Sequence, residues 1–336
     1  MQSRTFARPS DCGFVLPVTV ILLALISVGV ALMSHRSDQL RALVNASRQE
    51  QQASVAVQNT LAQALYLTST LYRRGSRLGD IELDGRHYRT ANGTYVQYQD
   101  SAGLFNLRRA SATELVGLLQ ALGVDAGKAV TLADTLLDYI DADSLVRING
   151  AEAADYSNAK LPPPRNAPLL MATELQRMPG WRELDPTTVR AVLDHVTIGT
   201  LNFVNRYTVK APVLAAIGGT DIELARELLA QRAPGTALAI ESLPNVARGS
   251  FLAAGRYITL PSLTTLITIC PPSVAWCQHT SLTATADGGE APWHIAYSIR
   301  QMRTAPLPPA NQVAALPDQP PKQAPPPLIT PFGTLQ

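Results

Sequence analysis

FVLPVTVILLALISVGVALM, residues 14–33, is a run of 20 residues without a charge. A helix of that length rises about 30 Å, the thickness of the hydrocarbon core of a bilayer. No other stretch qualifies, so the sequence reads as a single-span chain. The run exceeds the roughly 7–15 apolar residues of a secretory signal. No small-x-small cleavage site follows it, and the chain continues into His35 and Arg36. A cleaved signal peptide and a plain signal anchor are the simpler alternatives. From Ser37 to Arg73 there is no Pro and no Gly, and Leu40, Leu43, Val44, Val57, Leu61, Ala64, Leu65 and Leu71 recur at mostly helical spacing. The spacing predicts one continuous helix over 14–73, with Gly75 as its stop.

The rest of the composition bounds the problem. With 336 residues the chain has room for two ordinary domains. Charged residues make up 16% and the net charge is +2, so there is no strong pull toward nucleic acid or acidic surfaces. A coiled coil, a collagen-like repeat, a disulfide-dense mini-protein and a polytopic membrane protein are all excluded. Ten of the 25 prolines fall in residues 305–336, which carry no periodicity and read as an extended, largely disordered tail.

Between these ends the hydrophobic period changes twice. Residues 81–100 alternate and are punctuated by Asp84-Gly85 and Asn92-Gly93, so IELDGRHYRT reads as a hairpin and GTYVQYQD as the next strand. A run of short helices follows over 111–231. Ser111 with Glu114 forms a capping box, a second helix covers about 128–140, and Asp185-Pro186 opens a third. The last pair is Ala211–Ile217 and Asp221–Gln231, the latter behind a Thr220/Glu223 box. Strand character returns at 256–269, 281–286 and 293–301. Strands, then helices, then strands predict an α+β protein whose sheet is interrupted by an all-α insert.

Several motifs carry a resemblance. The leader 1–13 contains Arg4 and Arg8 and ends in Gly13, with Phe14 opening the apolar helix. This Gly13-Phe14 junction resembles the prepilin peptidase site of type IV pilins and type II secretion pseudopilins. The segments DSAGLFNL (100–107) and LDYIDAD (137–143) resemble the D-x-x-G-x-F-N-L and L-D-W-I-D-x-D blocks of the type II secretion minor pseudopilin K family, with Tyr139 in place of Trp. Gly150-Ala151-Glu152 with Tyr156, then Pro162–Pro164, Asn166, Pro168, Glu174-Leu175 and Pro179-Gly180, follow in family order, and IGTLNFVN with APVL matches more loosely.

The resemblance implies a leader (1–13), a membrane helix (14–34), a stalk with first pseudopilin strands (35–104), an inserted helical domain (105–245), returning strands of a small antiparallel pseudopilin sheet (246–303) and the tail (304–336). It implies cleavage after Gly13 by prepilin peptidase and methylation of Phe14. It also implies single-pass anchoring in the inner membrane with the C-terminal part in the periplasm. The partners it implies are minor pseudopilins of the I and J types, at the tip of a pseudopilus that drives protein export. The fifth mature residue is Val18 where most relatives carry Glu. A carboxylate in hydrocarbon needs a partner, and a tip subunit has no neighbour ahead to provide one. A tip-type minor pilin of a type IV pilus is the alternative.

Three sites stand out. Asp138, Asp141, Asp143, Glu152 and Asp155 crowd one short stretch. Such oxygens repel unless neutralised, and Ca²⁺ accepts six to eight of them, although the spacing is not that of an EF-hand. Helix capping and solvated loop carboxylates would explain the same residues. Members of the resembled family bind calcium in this domain, which selects Asp141, Asp143 and Glu152 as ligands of a structural ion. Cys270 and Cys277 flank a Pro-Pro turn and could form a disulfide after export, or remain thiols in a reducing compartment. Residues 211–232 resemble a helix-hairpin-helix with Gly218-Gly219 at its turn, a DNA-binding alternative. Its Arg226 and Arg232 are offset by Asp221, Glu223 and Glu227, which favours packing. No G-x-S-x-G, H-E-x-x-H, P-loop or C-x-x-C occurs, and His35, His87, His195, His279 and His294 share no motif, so no enzyme is expected.

Overall fold

The structure is a computed structural model. It describes residues 15–70, 73–199, 203–232, 236–238, 257–285, 289, 291–303, 305–316, 329–330 and 333–334. Helix α1 runs over Val15–Thr70, 56 residues and about 84 Å of rise. It is the one helix among the described residues long and apolar enough to cross a membrane. The chain divides after Val55 into two units. In the first, apolar side chains such as Leu22, Leu25, Ile26 and Val30 are exposed around the whole circumference, as a lipid-facing helix requires. In the second, Val57, Leu61, Ala64 and Leu67 form a stripe at i, i+4, i+7 and i+10 that packs on the sheet.

Three two-residue strands, β1 (Arg73–Arg74), β2 (Arg77–Leu78) and β3 (Ile81–Glu82), lead into β4 (Asp84–Arg89) and β5 (Tyr95–Asp100). The insert then contributes β6 (Phe105–Asn106), α2 (Ala112–Ala121), α3 (Ala126–Ile140), α4 (Ala153–Asn158), α5 (Pro186–Leu193), β7 (Val196–Thr197), β8 (Val204–Asn205), α6 (Ala211–Gly218) and α7 (Ile222–Ala230). After it come β9 (Tyr257–Ile258), β10 (Thr264–Cys270), β11 (Trp276–Ala284), β12 (Trp293–Met302) and β13 (Ala314–Ala315). The main sheet has the order β12-β11-β10-β5-β4-β13. Strands β5 and β10 are antiparallel neighbours although the whole insert lies between them in sequence, with Ile267 opposite Tyr98 and Ile269 opposite Val96. Those four residues are fully buried against α1. The insert has its own core, built on Leu115, Leu118 and Leu119 of α2, Leu132 and Leu136 of α3, Trp181, and Val213 and Leu214 of α6.

Local signals explain most boundaries. Ser111 and Glu114 close the predicted capping box on α2, and Asp185 with Pro186 starts α5. Four expectations are corrected. The β4–β5 turn lies at Asn92-Gly93, where Thr90 N–H donates to Thr94 O (2.9 Å) and Gly93 has φ +85°. Asp84-Gly85 instead sits at a bulge inside β4, with Gly85 at φ +82°; a bulge and a hairpin turn both demand positive φ, so the dipeptide signals either. Helix α7 is capped by Asp221, whose carboxylate accepts from Glu223 N–H, rather than by Thr220. Strand β11 begins at Trp276 rather than 281, because the Pro271-Pro272 turn is short and returns the chain at once.

The fourth correction concerns the tail. Residues 305–316 are ordered on the sheet. Tyr95 Oη donates to Pro308 O (3.0 Å), Leu316 N–H donates to Arg89 O (2.7 Å), and β13 pairs parallel to β4. Leu316 is buried in the core under α1. The prolines of this stretch, Pro306, Pro308 and Pro309, all precede β13, so Ala314 and Ala315 keep their N–H groups for the sheet edge. The expected tail beyond 316 lies almost wholly outside the described residues.

Candidate functional site

The family-like motifs gather where the insert joins the sheet and at the C-terminal end of α3. At the junction Asp100 is fully buried. Its carboxylate accepts from Ala102 N–H (3.1 Å), Asn205 Nδ2 (2.7 Å), Thr208 Oγ1 (3.0 Å) and Ser262 Oγ (2.7 Å). One side chain therefore ties the end of β5 to β8 and to the chain entering β10. Three residues on, a Cβ at Gly103 would lie 2.4 Å from Thr208 O, so only glycine fits. Asn106 accepts from Arg108 N–H (3.0 Å) and donates to Gly199 O (2.8 Å). The D-x-x-G-x-F-N-L block is thus the clasp that holds the insert on its sheet.

The carboxylate cluster forms around the end of α3. Asp138 is fully buried there, and Arg147 Nη1 donates to Asp138 Oδ1 and Asp141 Oδ2, both at 3.0 Å. Arg147 N–H adds a bond to Asp138 Oδ2 (3.1 Å). The loop folds so closely over Asp138 that a Cβ on Gly150 would come 1.8 Å from Oδ2. Asp143 accepts from Leu145 N–H (2.8 Å), and its carbonyl accepts from Asn166 Nδ2 (2.9 Å), with Asn166 at φ +48°. Glu152 precedes α4, its N–H donates to Asp155 Oδ2 (3.0 Å), and it is buried. Tyr139 packs 6.3 Å from Tyr156 and donates to Glu174 Oε2 (3.2 Å), while Glu174 Oε1 accepts from Leu170 N–H (2.7 Å). Trp181 Nε1–H donates to Leu132 O (2.9 Å) beside Gly180. Those contacts account for the Tyr, Glu-Leu and Pro-Gly elements of the motif as packing.

The electrostatics of the cluster are unfavourable as folded. Burial pushes the carboxyls of Asp138, Asp141 and Glu152 above their ordinary range, and mutual repulsion adds to it: Asp141 acts on Asp138, Asp143 on Asp141, and all three on Glu152. Arg147 offsets this at Asp138 and Asp141. Both carboxylate oxygens of Glu152 and Oδ1 of Asp141 are buried without a hydrogen-bond partner. Their chemistry suits a hard cation. Among the described residues, however, no three His, Cys, Asp or Glu side chains converge as a ready ligand set.

Of the residues selected by sequence, Asp141 shares Arg147 with Asp138, and the charge of Asp143 acts on Glu152. Arg147 was missed, although it is the one cation in residues 138–155. Cys270 and Cys277 are joined in a disulfide across the β10–β11 turn. Gly13 and Phe14 lie outside the described residues. In the α6–α7 hairpin Arg226 is paired with Glu223, and Arg232 Nη1 donates to Arg206 O (3.2 Å).

The fold combines a membrane-length helix, a small sheet and a helical domain inserted between two neighbouring strands. The fold is similar to a chain of the GspK-GspI-GspJ complex from the enterotoxigenic Escherichia coli type 2 secretion system, with a TM-score of 0.55 and 17% identity over 77% of this chain and 99% of that one. Residues 98–199 match the family model of type II secretion system (T2SS), protein K. Over 124 residues the chain is 32% identical to the type II secretion system protein K of Dickeya chrysanthemi, 35% of this chain and 33% of that protein. The matched region is thus about a third of that curated relative. This segment is similar to the type II secretion protein K family.

Proposed function

We propose that this chain is the minor pseudopilin at the tip of a type II secretion pseudopilus. It would start and cap the assembly and support export of proteins across the outer membrane. The observation that carries this reading is the insert clasped between β5 and β10 at Asp100, within the matched segment 98–199. A domain of that bulk does not repeat along a filament shaft but fits at its end. Val18, uncharged at the position where shaft subunits need a partnered Glu, agrees with a subunit that has none ahead of it.

Minor pseudopilins of the I and J types are the proposed partners, by analogy with the GspK-GspI-GspJ complex. Prepilin peptidase would cut after Gly13 and leave a methylated Phe14. Helix α1 would then anchor the chain in the inner membrane with the sheet and insert in the periplasm. Intact-mass analysis of the membrane-extracted protein tests the processing: loss of residues 1–13 is expected, and an intact Met1 would contradict it. The role is mechanical rather than enzymatic. A structural Ca²⁺ belongs to the same reading. Asp141, Asp143 and Glu152 would hold it, and it would neutralise the buried oxygens that Arg147 does not reach. Elemental analysis of dialysed protein, and a melting temperature lowered by EGTA, test this.

A further inference from the structure

The alternation that sends Val96, Tyr98, Ile267 and Ile269 toward α1 sends their neighbours to the opposite face of the sheet. There His87 stands opposite Gln97, Gln97 opposite Thr268, and Thr268 opposite His279, forming one polar row across four strands. The insert faces this row with Arg190 of α5, His195 and Lys210, and Arg303 follows the end of β12. Between the two lies a cleft of about 420 Å³, whose walls also include Met171, Ile299 and Leu307. Its size is that of a small-ligand site, on the order of 300–1,000 Å³.

The charges in the cleft do not balance. Its described lining carries three basic side chains, Arg190, Lys210 and Arg303, and one carboxylate, Asp194, and burial lowers the pKa of Lys210. Asp194 is already taken: Arg190 Nε and Nη2 bond it at 3.1 and 2.8 Å. Arg190 also donates to Gln301 and lies 3.2 Å from His279 Nε2. Lys210 Nζ donates to the main-chain oxygen of Asp194 (3.0 Å), and Asp84, which also acts on it, is paired with Arg86. Arg303 Nη1 is buried and has no hydrogen-bond partner among the described residues. A buried charged donor without an acceptor is costly enough that native proteins rarely leave one. Burial lowers the pKa of His87 and His195 and brings His279 down to about 4, so the imidazoles are neutral hydrogen-bonding groups at pH 7.

We infer that this cleft is a binding site for a carboxylate carried on a short apolar body. Arg303 would hold the carboxylate, and Met171, Ile299 and Leu307 would line the space for its stem. The one unspent guanidinium nitrogen matches a single negative charge. A strongly hydrated dianionic phosphate would need more donors than the cleft has free. The carboxylate could belong to a free small acid or to the C-terminal end of a peptide, and the two sources are separable by experiment.

The test is isothermal titration of the full chain in a nonionic detergent at pH 7. The probes are hexanoate, acetyl-Ala-Ala-Leu with a free carboxylate, the same peptide amidated, and inorganic phosphate. Saturable binding of at least one carboxylate probe is expected. Amidation and Arg303→Gln should each weaken it by about tenfold or more, and Lys210→Gln, whose ammonium is held by the main-chain oxygen of Asp194, should weaken it less. Tighter binding of hexanoate assigns a free acid as the source, and tighter binding of the peptide assigns a chain end. The His279 imidazole proton resonances of the unsubstituted protein should shift in the same titration, a readout that does not depend on either variant folding. The inference is overturned by absence of saturable carboxylate binding, by equal binding of acid and amide, by phosphate binding as tightly, or by His279 resonances that stay fixed.

Discussion

The Arg147 guanidinium lies 3.0 Å from the carboxylate of Asp138, a side chain with no exposed surface. Removing the cation leaves the acid buried beside Asp141 and Glu152. Arg147→Met should therefore destabilise the fold by about 2–3 kcal/mol, below the figure for a wholly buried pair because Arg147 itself is 38% exposed. Asp138→Asn, which removes the charge and keeps the shape, should cost less. Denaturant midpoints of the two variants check this ordering.

The same cluster sets a pH dependence opposite to the usual one for carboxylates. Asp138, Asp141 and Glu152 have folded-state pKa values raised by burial and by one another. The folded state therefore holds protons more tightly than the unfolded one. Their contribution is fully present below the ordinary carboxylate range, about 4, and is lost as pH rises through the raised values. In EGTA the melting temperature should rise on mild acidification from pH 7. With excess Ca²⁺ the neutral-pH protein should gain stability and the acid-side advantage should shrink, since ligand bound only to the folded state stabilises by mass action. Melting curves across pH, with and without calcium, carry both outcomes.

Gly103 faces the carbonyl oxygen of Thr208, and an added Cβ would approach it to 2.4 Å. A backbone oxygen cannot swing aside as a side chain can. Gly103→Ala should loosen the clasp between insert and sheet at a cost of about 2–3 kcal/mol. Proteolysis should then begin near the junction, and protection there equal to that of the parent protein would contradict the clasp.

The Cys270–Cys277 disulfide closes a short loop at the β10–β11 turn, with Leu307 and Val313 packed on it. Loop-closure entropy for so short a ring gives roughly 2–3 kcal/mol. Reduction, or the double change Cys270→Ser with Cys277→Ser, should lower the melting temperature and release residues 305–316 to protease. Peptide mapping without reductant should find the two cysteines linked.

Much of this architecture was legible in the sequence. Helix α1 declared itself through an uncharged run and the absence of Pro and Gly as far as Arg73. Strand pairs and helix caps carried residue-level signals such as Asn92-Gly93, Ser111 with Glu114, and Asp185-Pro186. What could not be read were contacts distant in sequence. Asp100 meets Asn205, Thr208 and Ser262 only after the insert has folded back. The polar row His87–Gln97–Thr268–His279 depends on strand register. The ordered stretch 305–316 depends on an edge of β4 that composition does not reveal. At the carboxylate cluster the acids were visible as a crowded stretch. Arg147, nine residues from Asp138, was not, because a loop rather than a helical period brings the two together.

The central claim is that this chain heads a pseudopilus together with minor pseudopilins of the I and J types. Its most direct test is co-purification of the tagged full chain with both partners, each co-expressed from the same cell and extracted in mild detergent. A stable complex containing one copy of each is predicted, lost when the clasp is opened by Gly103→Ala. Recovery of the chain free of both partners would contradict the claim.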